Sequence, residues 1–227
     1  MILDVAGAYA LARACGPSVA PETLMSIVHA ESHFNTLAIG VNSPGIRRPE
    51  VATKEEAVAA ARALIRRGVN IDLGLGQINS ANLAWLGLSI EQAFEPCANL
   101  AAAARVLTLN YRAVARLAPT PQHAIATALS LYNTGDRRRG FSNGYVAKVY
   151  ASAAHVIPQM GPGATVPATR PASPGTFSAG LPTDGGAPVQ LAASTVETPR
   201  WDVEAQASQA SLMVFGDGTT ASKGQHP

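Results

Sequence analysis

The residues of this chain best suited to proton chemistry lie in one short run, His29-Ala30-Glu31-Ser32-His33-Phe34-Asn35. Leu24, Ile27, Val28 and Glu31 recur at i, i+3, i+4 and i+7, the spacing that lines up one face of a helix. A carboxylate on such an apolar stripe is costly to ionise, because burial disfavours the charged form. The carboxyl end of the helix adds the negative end of the backbone dipole, which acts in the same direction. Both effects raise the pKa of Glu31 toward the range in which a carboxylic acid delivers a proton near neutral pH. His29 and His33 bracket it at i and i+4, a spacing that also suits two metal ligands. In a zinc-protease helix, however, the glutamate directly follows the first histidine. Here it comes one residue later and is rotated away by about 100°, which disfavours a metalloprotease.

Two other segments carry polar groups beside glycine: Gly74-Leu75-Gly76-Gln77-Ile78-Asn79 and Leu131-Tyr132-Asn133-Thr134-Gly135. The elements that must bring them to Glu31 are legible from caps and periodicity. An Ala-rich first helix over about 3–13 ends before Gly16-Pro17, and Pro21 opens the helix that carries Glu31. Turn residues between Thr36 and Gly45 leave room for short extended pieces, such as a small hairpin. Thr53 with Glu56 forms a capping box for a helix over about 54–67, and Ser89 with Gln92 forms another before a short helix that stops at Pro96. Val69, Ile71, Leu73 and Leu75 alternate with polar residues and glycine, which is strand periodicity. Asp72, within that run, reads as a solvated turn residue. A long helix is expected over about 97–117, and Thr120-Pro121 caps the next, whose apolar face ends on Tyr132. A basic loop, Arg137-Arg138-Arg139, expected to be solvated, precedes a last helix over about 145–156.

The fold class expected is mainly α, with a small extended element, over residues 1–157. From Pro158 to Pro227 the chain is rich in Pro, Gly, Ala, Ser and Thr without periodicity, the composition of a disordered tail. Its sizeable apolar points are Trp201 and Met213-Val214-Phe215. The net charge of +2 is too mild to indicate nucleic acid as a partner. No apolar run approaches the ~20 residues that span a bilayer, so an integral membrane protein is not expected. The first residues include Asp4 and lack a basic start, and so do not read as a signal peptide. Cys15 and Cys97 match no metal spacing; they are either two buried thiols or one disulfide.

In order and type, the three polar segments resemble the motifs of the soluble lytic transglycosylase domain, a goose-lysozyme-like fold that cleaves peptidoglycan. Glu31-Ser32 with Phe34 matches the first motif, Gly74 to Ile78 the second, and Tyr132-Asn133-Thr134-Gly135 the third. The helix beginning Tyr145-Val146-Ala147-Lys148 resembles the closing element of that domain. Ala38 to Asn42, the form of the second motif, and Phe94 to Leu100 look most like the peptidoglycan-cleaving subunit of type IV secretion and conjugation systems. The resemblance covers residues 1–157 and none of the tail.

It implies that Glu31 protonates the glycosidic oxygen and later removes the C6 hydroxyl proton, leaving a 1,6-anhydromuramyl end without a second carboxylate. Ser32, Gln77, Asn79, Tyr132 and Asn133 are the implied substrate-binding residues, although Gly76 stands where many family members have Met. Neither metal nor cofactor is implied. The implied partners are peptidoglycan glycan strands and secretion-channel components, some of which the tail's apolar points could dock. The implied place is the periplasm. Hydrolysis by the same fold and a catalytically silent scaffold subunit are the alternatives.

Overall fold

A computed structural model describes residues 1–160; the tail, including Trp201 and Met213 to Phe215, lies outside the described residues. Helix α1 (Val5–Cys15) starts where the Asp4 carboxylate accepts a hydrogen bond from the Gly7 amide at 2.7 Å. Helix α2 (Pro21–Ser32) opens on a proline, whose missing amide hydrogen costs nothing in a first turn. It runs through the centre of the molecule, with Leu24, Ile27 and Val28 fully buried as their spacing required. Each such aliphatic side chain contributes about 1.5–3 kcal/mol on leaving water. After α2, His33 and Phe34 both take left-handed backbone conformations, and the chain turns sharply just past Glu31.

Strands β1 (Ile39–Val41), β2 (Ile71–Leu73) and β3 (Ile78–Asn79) form an antiparallel sheet in that order, with Ile39 opposite Leu73 and Asp72 opposite Asn79. Helix α3 (Lys54–Arg66) connects β1 to β2 and has both hydrogen bonds of its Thr53/Glu56 capping box. Past β3 comes a 3₁₀ turn (Ser80–Asn82) and one-turn helix α4 (Leu83–Leu86), neither of which was legible in the sequence. Helix α5 (Ile90–Ala93) has the Ser89/Gln92 box. Then α6 (Pro96–Val114) and α7 (Pro121–Thr134) pack against each other, and Gly135 in the left-handed region stops α7. The basic segment is not wholly a loop. The Asp136 carboxylate accepts from the Arg138 and Arg139 amides at 2.8 and 2.9 Å and starts the short helix α8 (Arg139–Ser142). Helix α9 (Tyr145–Val156) lies along α2, and a 3₁₀ turn (Ile157–Met160) containing Pro158 seats buried Ile157 near α1. No helix among the described residues is long and apolar enough to cross a membrane.

Cys15, at the end of α1, is joined by a disulfide to Cys97, in the first turn of α6, across 82 residues. Closing so long a loop removes about 4–5 kcal/mol of denatured-state chain entropy in the simplest treatment. We expect Cys15→Ser with Cys97→Ser to lower unfolding stability by about 2–5 kcal/mol, measured by urea denaturation. Reductant should lower the parent chain to the same level and leave the variant unchanged.

Candidate active site

Glu31 sits in the last turn of α2, facing a cleft of about 500 Å³ between the sheet and the helices α6 and α7. Its Oε1 accepts a hydrogen bond from the Tyr145 hydroxyl at 2.5 Å. Tyr145 is buried at the first position of α9, so the packing of α9 on α2 presents its phenol to the acid. Burial pushes the Glu31 carboxyl up to about 7, with a smaller push from the charge of Asp72; the Tyr145 hydrogen bond and the Lys148 ammonium pull the other way. Burial and the neighbouring Glu31 raise Tyr145 and Tyr132 well above the ordinary phenol range, so both are neutral donors.

The second wall is built from the Gly74–Asn79 segment. Asn99 of α6 is almost wholly buried; its Nδ2 donates to Leu73 O at 2.9 Å and Ala93 O at 2.7 Å, and its Oδ1 accepts from the Gly76 amide at 2.7 Å. Gly76 presses so close to α6 and α7 that a Cβ there would come within 2.9 Å of both Ala103 Cβ and the Tyr132 hydroxyl. Any side chain at that position would force Ala103 or the Tyr132 hydroxyl to shift. The Tyr132 hydroxyl instead donates to Gly76 O at 2.7 Å. Gln77 holds a left-handed backbone conformation, φ 48°, and its Nε2 donates to Ala38 O and Gly74 O at 3.2 and 2.9 Å.

Glu31, Gln77, Asn79, Tyr132 and Asn133 thus line one cleft although they come from three distant segments. Ser32 lies outside it: its hydroxyl donates to Val28 O at 3.1 Å, which satisfies backbone. Asn79 lines the cleft with its amide already engaged, Nδ2 donating to Asp72 Oδ1 and Asn70 Oδ1, both at 2.7 Å. Asn133 is exposed, and its Oδ1 accepts from Asn143 at 3.0 Å. His29 is half-buried and linked through Nδ1 to Ser152 Oγ at 3.0 Å, while His33 is exposed at the end of α2.

Asp72 is not a solvated turn residue. It lies in β2, lines the cleft, and accepts hydrogen bonds from the amides of Asn42 at 2.8 Å and Asn79 at 2.7 Å. Burial raises its pKa and these amides oppose the rise. Strand alternation put Asp72 and Gly74 on the face opposite Ile71 and Leu73, the signal that could have brought it into the site. Tyr145 was legible only as a member of the last helix, since its contact with Glu31 spans 114 residues.

The arrangement offers one protonatable acid near neutral pH, two neutral phenols and a wall of carboxamides, a set that can protonate a leaving oxygen while holding a polar, uncharged substrate. The raised pKa also has a consequence for stability. Ionising Glu31 is harder in the folded than in the unfolded chain, so its contribution is full below pH ~4.5 and is lost as pH rises toward ~7. Glu31→Gln is therefore expected to unfold with parental stability at pH 4 and to exceed it by about 1–2 kcal/mol at pH 8, a figure reduced for the partial exposure of the group. Denaturant melts at both pH values measure the difference.

Residues 8–153 match the transglycosylase SLT domain family. Protein virB1 of Agrobacterium fabrum (strain C58) is 39% identical over 149 residues, covering 66% of this chain and 60% of the relative. The type IV secretion system protein virB1 of Brucella abortus biovar 1 (strain 9-941) is 40% identical over 149 residues, covering 63% and 62%. The chain thus spans about three fifths of the length of these curated relatives. No solved structure matches it.

Proposed function

The chain belongs to the transglycosylase SLT domain family, and we propose that it is a lytic transglycosylase that cleaves the peptidoglycan bond between N-acetylmuramic acid and N-acetylglucosamine. The observation that carries this is a single acid, Glu31, held near pKa 7 against Tyr145 in an amide-lined cleft. Protonated Glu31 gives its proton to the bridging oxygen as the bond to muramyl C1 breaks, so the glucosaminyl O4 leaves as a neutral hydroxyl. The muramyl N-acetyl oxygen bonds to C1. Glu31, now a carboxylate, takes the C6 hydroxyl proton as O6 bonds to C1 and the acetamido oxygen departs. The end product is a 1,6-anhydromuramyl ring; no water is consumed, and Glu31 is again protonated.

In this scheme Tyr145 orients the acid, Tyr132 and Gln77 hold the loop wall, and Asn79 shapes it through Asp72. Asn133, exposed at the cleft, meets the sugar. Ser32 secures the last turn of α2. By likeness to the virB1 proteins, the cleavage opens the wall locally for a type IV secretion or conjugation channel, which puts the enzyme in the periplasm, where peptidoglycan lies.

Glu31→Gln is expected to lower clearing of purified sacculi by a factor of about 10²–10⁴ while the chain stays folded; a purified variant that retains activity would refute the assignment. Activity should fall as pH rises above about 7, where Glu31 loses its proton. Tyr145→Phe removes a hydrogen bond that favours the carboxylate, so it should move that alkaline limb to higher pH, read from a rate profile against pH.

A second outcome, hydrolysis, is favoured by one observation, the presence of Asp72 in the same cleft as a second carboxylate. Against it, both Asp72 oxygens already accept amide hydrogen bonds, Oδ1 from Asn79 and Oδ2 from Asn42, so an attacking water would have to compete with those amides for its lone pairs. Mass spectrometry of digested sacculi is expected to find anhydro ends from both the parent and Asp72→Asn. Reducing ends that disappear in Asp72→Asn would establish hydrolysis instead.

A further inference from the structure

Trp85, one of two tryptophans in the chain, is 45% exposed. It lies on α4, past the sheet, and its ring lines the cleft beside Asn82, Val106 and Asn110. Two contacts fix the indole. Its Nε1–H donates to Asn82 Oδ1 at 3.0 Å, and the Arg105 guanidinium, which is not part of the cleft lining, lies 5.5 Å from the ring centroid. The ring is therefore anchored at its edge and backed by a cation without being packed into the core, an orientation set before any ligand arrives. Asn110, one helical turn from Val106 on α6, brings a carboxamide to the same cleft, and its side chain has no hydrogen-bond partner among the described residues. None of these groups takes part in the proton transfers assigned to Glu31.

An exposed indole beside carboxamides has the chemistry to bind a pyranose. The C–H face of the sugar ring rests on the π-system, while the amides take up hydroxyl and N-acetyl groups. We propose that Trp85 is a saccharide-stacking platform distal to Glu31, with Asn110 as its polar partner, and that it sets the length of glycan strand the cleft holds. The platform rests on the glycan-cleaving function proposed above and adds a subsite to it. A long strand spans both Glu31 and Trp85; a short one occupies the cleft near the acid and leaves the indole bare.

Titration calorimetry with N-acetylglucosamine oligomers on the Glu31→Gln chain tests the platform apart from cleavage. The hexamer is expected to bind about tenfold more tightly than the trimer. Adding Trp85→Ala should weaken the hexamer about tenfold and leave the trimer within about twofold, and Trp85→Tyr should restore most of the loss. In the active chain, Trp85→Ala should raise KM on isolated glycan strands with kcat within about twofold. Unchanged hexamer affinity in Trp85→Ala, with the parent still cleaving sacculi, would overturn the platform and leave the cleavage function standing. Equal losses for trimer and hexamer would overturn its distal placement. A parent chain that neither cleaves sacculi nor binds the hexamer would remove both.

Discussion

The buried carboxamide of Asn99 fixes the sheet and its glycine loop against α6. It is one side chain on α6 with three backbone partners: Leu73 at the end of β2, Ala93 at the end of α5, and the amide of Gly76 between β2 and β3. Each of these backbone groups is shut off from water, and leaving one unpaired costs about 1–3 kcal/mol. The sheet therefore has one place to sit against α6. Gly74 shows how tight that place is, since a Cβ there would meet Ala93 O at 2.4 Å. With Gly76 fixed, its carbonyl is fixed for Tyr132, and the end of α7 is tied to the loop. The glycines of this segment serve the approach of backbone to a buried amide and a phenol.

Glu31 depends on the same frame from the other side. Burial alone would hold the Glu31 carboxyl still further above the ordinary carboxylate range. Tyr145 and Lys148 on α9 counteract part of the burial, which brings the group to about 7, where it can both give and take a proton. That balance requires α9 to lie along α2 in one register. The His29 to Ser152 hydrogen bond and the tilted ring contact of His29 with His155, with centroids 5.1 Å apart, lie on this same contact. The histidines beside the acid therefore serve the helix pair. Burial, followed by the nearby His33, His155 and Lys148, holds His29 below the ordinary histidine range, which suits a neutral ring in that seam.

Helices were the legible part of the chain because their signals are local. The Thr53/Glu56 and Ser89/Gln92 boxes, the prolines at Pro21, Pro96 and Pro121, and Gly135 mark ends within a residue or two of those observed. Glu31, the glycine loop and Tyr132 were legible as motifs, and they do face one cleft. What escaped depends on pairings between distant residues. Alternation gave Asp72 a face but not what that face meets, and its role emerges only once Asn79 and Asn42 flank it. Tyr145 and Asn99 are ordinary helix residues until the partner strand or helix is placed. Trp85 escaped because a one-turn helix leaves no periodicity to read.

The asymmetry between the two carboxylates follows from what surrounds them. Glu31 has one neutral phenol donating to it and is otherwise desolvated, so its proton is retained to near neutrality. Asp72 is embedded in a mesh of amides, with Asn42, Asn70 and Asn79 linked to it or to one another at 2.7–3.0 Å. Such donors favour the ionised form even as burial opposes it. Two carboxyl groups sharing a cleft favour different protonation states, because a charge on one raises the cost of charging the other, and N–H donors favour the charge on the one they reach. The donors thus favour the charge on Asp72, and that charge adds to the rise at Glu31, which holds its proton the longer. The amide mesh enforces this division: removing Asn79 or Asn42 would weaken Asp72 as an anion and, through its field, relax the proton on Glu31.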